Sequence, residues 1–143
     1  MQGQLVPMSE VSDEVFSSEA LGKGVAIKPE IGEVRAPANG IISTLFPTGH
    51  AVGMTTDEGT EILIHIGLDT VELEGKYYEI SAEQGQQVKA GDLLIKFDKE
   101  GVESENYDTI TPVVITNSAE FQTIDVTEET QVTPGDYLLT AVK

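Results

Sequence analysis

Short apolar stretches, each halted within a few residues by glycine or proline, run the length of this chain and leave almost no room for helices. The stretch 25–28 is followed by Pro29 and Gly32, and 33–36 stops at Pro37. Asn39-Gly40 is a strong turn signal, because both residues tolerate a left-handed backbone. The stretch 41–46 stops at Pro47, and 51–55 at Asp57-Glu58-Gly59. Further strands are expected over 61–66, 77–80, 93–97, 112–116, 121–126 and 137–142. Helical periodicity is confined to a turn or two near 13–17 and 99–106. Segments 85–93 and 131–138 both read as valine, two residues, Gly-Asp, then an apolar run, a recurring turn-into-strand device. Glycine at 14 positions and many β-branched residues agree with an all-β sandwich or barrel carrying one or two short helical turns.

With 143 residues, positions 1–143 read as one domain. A chain of that size buries roughly two-thirds of its unfolded surface and is stable without staples. It has no cysteine, which excludes disulfides, thiolate catalysis and Cys-ligated zinc and is compatible with a cytoplasmic location. Eight basic against 25 acidic residues give a net charge of −17. Such a surface repels phosphate backbones and anionic headgroups, so no nucleic acid is expected as partner. A basic protein partner fits better. No apolar run approaches the roughly 20 residues of a membrane helix, and no signal peptide is recognisable, so direct membrane insertion is not expected.

The only two histidines, His50 and His65, both fall in apolar, strand-like segments flanking Asp57-Glu58-Gly59. Side chains alternate along a strand. Ile62, Ile64 and Ile66 then share an aliphatic core face, and Leu63, His65 and Gly67 the other. In the earlier segment Thr48, His50, Val52 and Met54 share one face. A hairpin around the turn would make the histidines near-opposite partners on one face, about 5 Å apart at Cβ. On residue type alone, two unrelated histidines, each bonded to a backbone carbonyl, are the plainer alternative.

Two chemistries suit paired imidazoles. In phosphoryl transfer, one neutral imidazole attacks phosphorus while the other donates a hydrogen bond to the phosphoryl oxygens. Each ring then needs a partner at its other nitrogen to fix the tautomer. Thr48 is placed to serve His50, and the Gly67 carbonyl to serve His65. Leu63, Val71, Phe46 and Phe16 are candidates for a dry apolar rim. In metal binding, a zinc ion would use His50 and His65 with a carboxylate such as Asp69, but no zinc motif is present.

These residues carry a resemblance that extends over essentially the whole chain. VPMSEVSDEVFSS (6–18), LGKGVAIKP (21–29), VRAPANGII (34–42), LFPTGHAVG (45–53), EILIHIGLDTVELEG (61–75), GQQVKAGDLLIKFD (85–98) and TPVVITN (111–117) are similar to the glucose-type IIA domain of the bacterial phosphoenolpyruvate-dependent sugar phosphotransferase system. The resemblance implies an antiparallel β-sandwich. It implies that His65 is the phosphoacceptor at Nε2, that His50 stabilises the phosphoryl group, and that Thr48 bonds His50. Phe16, Phe46, Leu63 and Val71 map to the rim of a shallow docking depression, and Asp69 lies beside it. The implied partners are the carrier HPr as donor and a IIB domain as acceptor. No cofactor is required, though a zinc ion shared by His50 and His65 with a partner carboxylate is left open.

Tyr77-Tyr78 replaces a Gly-Phe pair of other family members, and Gly53-Met54 stands where some carry bulkier residues. Neither pair touches the acceptor, so they bear on partner choice rather than mechanism. LEGKYYEIS and FDKEGVESENYDTITPVVITN resemble the IIA portions of multidomain transporters for β-glucosides or related sugars. Two alternatives compete. GQQVKAGDLLIKFDKE resembles the hairpin of a lipoyl- or biotinyl-type carrier, with Lys99 as the modified lysine. A regulatory module that binds proteins without chemistry is the other.

Overall fold

A computed structural model describes residues 3–13, 16, 18, 23–117, 123–126, 131–132 and 139–142. The strands within them are β1 (Gly3–Pro7), β2 (Lys23–Pro29), β3 (Glu33–Arg35), β4 (Gly40–Leu45), β5 (Ala51–Thr56), β6 (Glu61–His65), β7 (Tyr78–Ile80), β8 (Gln87–Val88), β9 (Leu93–Phe97), β10 (Thr111–Ile115), β11 (Thr123–Val126), β12 (Gln131–Val132) and β13 (Leu139–Val142). Eight of them form one sheet in the order β12-β1-β2-β10-β6-β5-β4-β8. A second sheet runs β3-β9-β7, and β11 pairs with β13. Every described pairing is antiparallel. The architecture is an antiparallel β-sandwich.

The central strands of the large sheet are covered on both faces, which explains their unbroken apolar runs. Along β10, Val113 enters the core between the two sheets while Val114 enters a smaller core behind the large sheet. Ile27 and Ala26 divide the same way along β2. Val34, Ile95 and Phe97 of the small sheet meet Ile42, Val52, Met54 and Ile64 of the large one in the main core. The second core gathers Val6, Met8, Val11, Phe16, Leu68 and Ile110. Full burial of one such side chain is worth roughly 1.5–3 kcal/mol, so Phe16 and its neighbours hold the segment after β1 firmly against the back of β6.

Several expectations change. β1 went unrecognised because its Gly, Gln and Pro weaken the strand signal. The two-residue β8 and β12 are too short to show alternation. The 3-10 turns Met8–Glu10 and Thr70–Leu73 leave no helical period to read. Tyr77 is not in a strand: its φ of 77° places it in the left-handed region, and β7 begins at Tyr78. The helix expected near 99–106 is Lys99–Ser104, its first turn capped by the Asp98 carboxylate, which accepts from the Gly101 N–H at 3.0 Å. Of the turn expected at 13–17, only Asp13 and Phe16 are described, and most of the second turn-into-strand device, 133–138, lies outside the described residues.

Candidate functional site

β5 and β6 form the expected hairpin, with Ala51 opposite His65 and Thr55 opposite Glu61. That register is one residue away from pairing the histidines. His50 instead lies across from Ile66, whose N–H donates to the His50 carbonyl at 2.6 Å. Val52 and Met54 point into the main core beside Ile64 and Ile66, whereas Leu63 packs against the second core. Val52 and Met54 therefore do not share the face of the histidines as expected, although His50 does meet His65. His50 stands in a bend just outside β5, after Gly49 at φ 75°, so the alternation of β5 does not extend to it. His65 is the last residue of β6. The rings converge at the strand ends, with centroids 5.2 Å apart and planes at 74°.

Phe16, His65, His50 and Phe46 form a row in which each neighbouring pair of ring centroids is 5.2 Å apart. Phe16 is buried beneath His65 and Leu63 is half-buried, so these two are floor rather than rim. Of the four residues expected at the rim, Phe46 at 38% exposure and Val71 at 50% are open to a partner. Asp69 is exposed, with a left-handed backbone at φ 59°.

His65 Nδ1 lies 2.6 Å from the Gly67 carbonyl oxygen. A carbonyl only accepts, so Nδ1 carries the proton and Nε2 keeps its lone pair in the neutral ring. His50 Nδ1 bonds the Thr48 hydroxyl. A hydroxyl either donates or accepts, so this contact permits the tautomer with Nε2–H outward. Burial, and then the neighbouring His65, push the His50 pKa down to about 4. Burial lowers His65 as well, against the opposing pull of the Gly67 carbonyl and the Asp13 and Asp69 carboxylates. Both rings are thus neutral at neutral pH. One offers a free lone pair, and the other is able to offer an N–H.

Sequence reasoning missed an acidic hollow lined by Asp13, Asp69, Glu72 and Asp108, of which Asp13 and Asp69 act electrostatically on His65. Glu72 enters it from a 3-10 turn that has no sequence signal, and Asp108 from the distant end of the loop before β10. No group of three or more His, Asp or Glu suited to a metal occurs among the described residues. This chain offers a zinc ion two imidazoles, fewer than the three ligands of a catalytic site or four of a structural one. Lys99 opens a helix, 3.4 Å from Glu103, rather than standing at a hairpin tip as a swinging-arm lysine would.

Fold and site together define an antiparallel β-sandwich with a paired-imidazole centre at one end of its large sheet. Residues 1–121 match the family model described as phosphoenolpyruvate-dependent sugar phosphotransferase system, EIIA 1, and the chain belongs to that family. That family is the EIIA component of the phosphotransferase system. The chain is 47% identical over 137 residues to a "PTS system beta-glucoside-specific EIIBCA component" of Halalkalibacterium halodurans, a match covering 96% of this chain and 22% of that protein. A Bacillus subtilis protein of the same name is 47% identical over 139 residues, covering 97% and 23%. The chain thus spans less than a quarter of the length of these relatives. Among solved structures, glucose permease IIA of Mycoplasma capricolum superposes with a TM-score of 0.89 at 38% identity, covering 96% of this chain and 89% of that one. Among the described residues, no helix is long and apolar enough to cross a membrane.

Proposed function

We propose that His65 is the phosphoacceptor, taking a phosphoryl group from HPr and passing it to a IIB domain. The observation that carries this is the Gly67 carbonyl on His65 Nδ1, which leaves Nε2 as the nucleophile. The Nε2 lone pair attacks phosphorus, the P–N bond to the donor's histidine breaks, and that histidine keeps the electron pair. The Nδ1 proton stays bonded to Gly67. The ring takes on positive charge, which the Asp13 and Asp69 carboxylates favour. His50, with Thr48 donating to its Nδ1, directs Nε2–H at the phosphoryl oxygens. Phe46, Val71 and Leu63 line the docking surface and keep water from the labile bond. The acidic surface steers a basic donor face toward it.

The relatives' names support a wider reading. The chain acts as a single IIA domain, one unit of a β-glucoside transporter that carries IIB and IIC in the same polypeptide, and exchanges phosphate on the cytoplasmic side. No cofactor takes part, and a zinc ion at His50 and His65 would need further ligands from a bound partner.

The test is intact mass after incubation with phosphoenolpyruvate, enzyme I and HPr. One acid-labile phosphoryl adduct is expected on the wild type and none on His65→Ala. An adduct that persists on His65→Ala overturns the assignment. A wild type that gains no adduct would be a binding module instead.

A further inference from the structure

The small sheet contributes to the site in a way that no sequence motif announces. Tyr78, the first residue of β7, sends its hydroxyl across the sandwich to donate to the Ile66 carbonyl at 2.9 Å. The Thr70 hydroxyl donates to the same oxygen at 2.7 Å, and Thr70 is fully buried. A carbonyl oxygen has two lone pairs, and these two donors use both. The Ile66 N–H is committed as well, donating to the His50 carbonyl at 2.6 Å. Two residues further on, the Leu68 N–H donates to the Asp108 carbonyl at 3.0 Å.

Gly67 therefore sits between two peptide planes that are both pinned. The plane before it is held by Tyr78 and Thr70, and the plane after it by Asp108. Its φ of 88° is open only to glycine at low cost, and a Cβ there would stand 2.5 Å from the Thr70 methyl and 2.9 Å from the Asp108 carbonyl. The second plane carries the carbonyl that fixes the His65 proton. A peptide that is free to rock weakens a 2.6 Å bond; one pinned on both sides does not.

We propose that Tyr78, together with Thr70, is a positioning residue: by pinning the Ile66 carbonyl it holds the Gly67 carbonyl on His65 Nδ1 and so keeps Nε2 as the free nitrogen. Tyr78 suits the task. Its ring is stacked on Phe97 at 6.0 Å and packs against the main core, so its hydroxyl is aimed by buried neighbours on a different sheet. Burial raises its pKa above the usual phenol value, so it remains a donor throughout the working pH range. The site is thus braced by both layers of the sandwich, although both histidines belong to the large sheet and its connections. The catalytic consequence rests on His65 as the acceptor; the tautomer consequence does not.

Tyr78→Phe removes the hydroxyl and keeps the stacked ring. Thr70→Val and Thr70→Ser remove and retain the second donor. The readout is the nitrogen-15 spectrum of His65 in the unphosphorylated protein, which distinguishes the Nδ1–H form from the Nε2–H form. Tyr78→Phe is expected to raise the Nε2–H fraction, Thr70→Val to do likewise, and the pair together to exceed their sum. Thr70→Ser should restore the wild-type spectrum. The rate of phosphoryl acceptance should fall roughly 3- to 10-fold in Tyr78→Phe, the worth of one hydrogen bond, with the KM for HPr unchanged. A His65 spectrum identical to the wild type in both Tyr78→Phe and Thr70→Val overturns the proposal, whatever the rates do. A shifted spectrum in a protein that never gains a phosphoryl adduct would uphold the positioning and overturn the acceptor assignment alone.

Discussion

The turn that leads into β5 and the turn that leaves β6 present their histidines 5.2 Å apart, yet they are built in opposite ways. Before β5, His50 is 5% exposed, bonded to a side-chain hydroxyl, and its pKa is held down at about 4. At the end of β6, His65 is half-buried, bonded to a backbone carbonyl, and two carboxylates partly offset its burial. A hydroxyl can reverse its role between donor and acceptor; a carbonyl cannot. The first turn suits a ring that stays neutral and lends a proton to a hydrogen bond. The second suits a ring whose tautomer is locked and which acquires charge on reaction. The lesson is that two identical side chains acquire separate roles from the partner at Nδ1 and the charge nearby.

The largest effect should come from exchanging the two roles. His65→Ala is expected to abolish phosphoryl acceptance outright. His50→Gln should still accept the group but transfer it onward roughly a hundredfold more slowly, the usual cost of one oxyanion donor. Single-turnover transfer to a IIB domain measures it, and a His50→Gln protein that gains no adduct would collapse the distinction between the two turns.

Next in size is the locked turn itself. Gly67→Ala meets both a left-handed backbone and two close neighbours, whereas Gly59→Ala, at φ 91°, meets nothing within 4 Å. Denaturant unfolding should show a loss of roughly 1–2 kcal/mol at Gly59, the backbone term alone. The loss at Gly67 should be roughly 3 kcal/mol or more, because overpacking adds to it. Equal losses would mean that the turn after β6 yields easily.

Protonation sharpens the contrast further. Folded His50 titrates near 4, well below an unfolded histidine near 6.5. Between those values the unfolded chain takes up the proton and the folded one does not, so the contribution is complete above pH 6.5 and is lost as pH falls toward 4. Carboxylates titrate over part of the same range, so the expected result is a difference: the acid loss of stability should be shallower in His50→Gln than in the wild type. Parallel curves would place His50 in a wetter setting than its burial indicates.

The smallest effect belongs to the surface around both turns. With a net charge of −17, transfer from HPr should slow as salt rises, since exposed charges are screened beyond about 10 Å at 0.1 M. Stopped-flow rates that do not change with ionic strength would remove steering while leaving the histidine roles intact.

Much of the sandwich was legible. The hairpin of β5 and β6 followed from two apolar runs around Asp57-Glu58-Gly59, and the core face of Ile62, Ile64 and Ile66 from simple alternation. Thr48 and Gly67 were placed beside their histidines by sequence distance alone, because a contact two residues away is local. The shared face was misread because alternation was carried from Val52 back past Ala51 to His50, which lies in a bend outside the strand. Tyr78 was expected to lie away from the acceptor. It does not touch His65, but it holds the carbonyl one residue beyond it.

The sequence by itself determined the strand character, the turns between strands, the residue types of the site and the nearest partner of each imidazole. These depend on neighbours along the chain. The tertiary structure alone decided that His50 and His65 meet at strand ends, that Phe16 lies beneath the acceptor, that Asp13 and Asp108 join Asp69, and that Tyr78 reaches Ile66 from another sheet. Each of these brings together groups far apart in the chain, and such distances are fixed by how two sheets pack, which no local pattern of residues encodes.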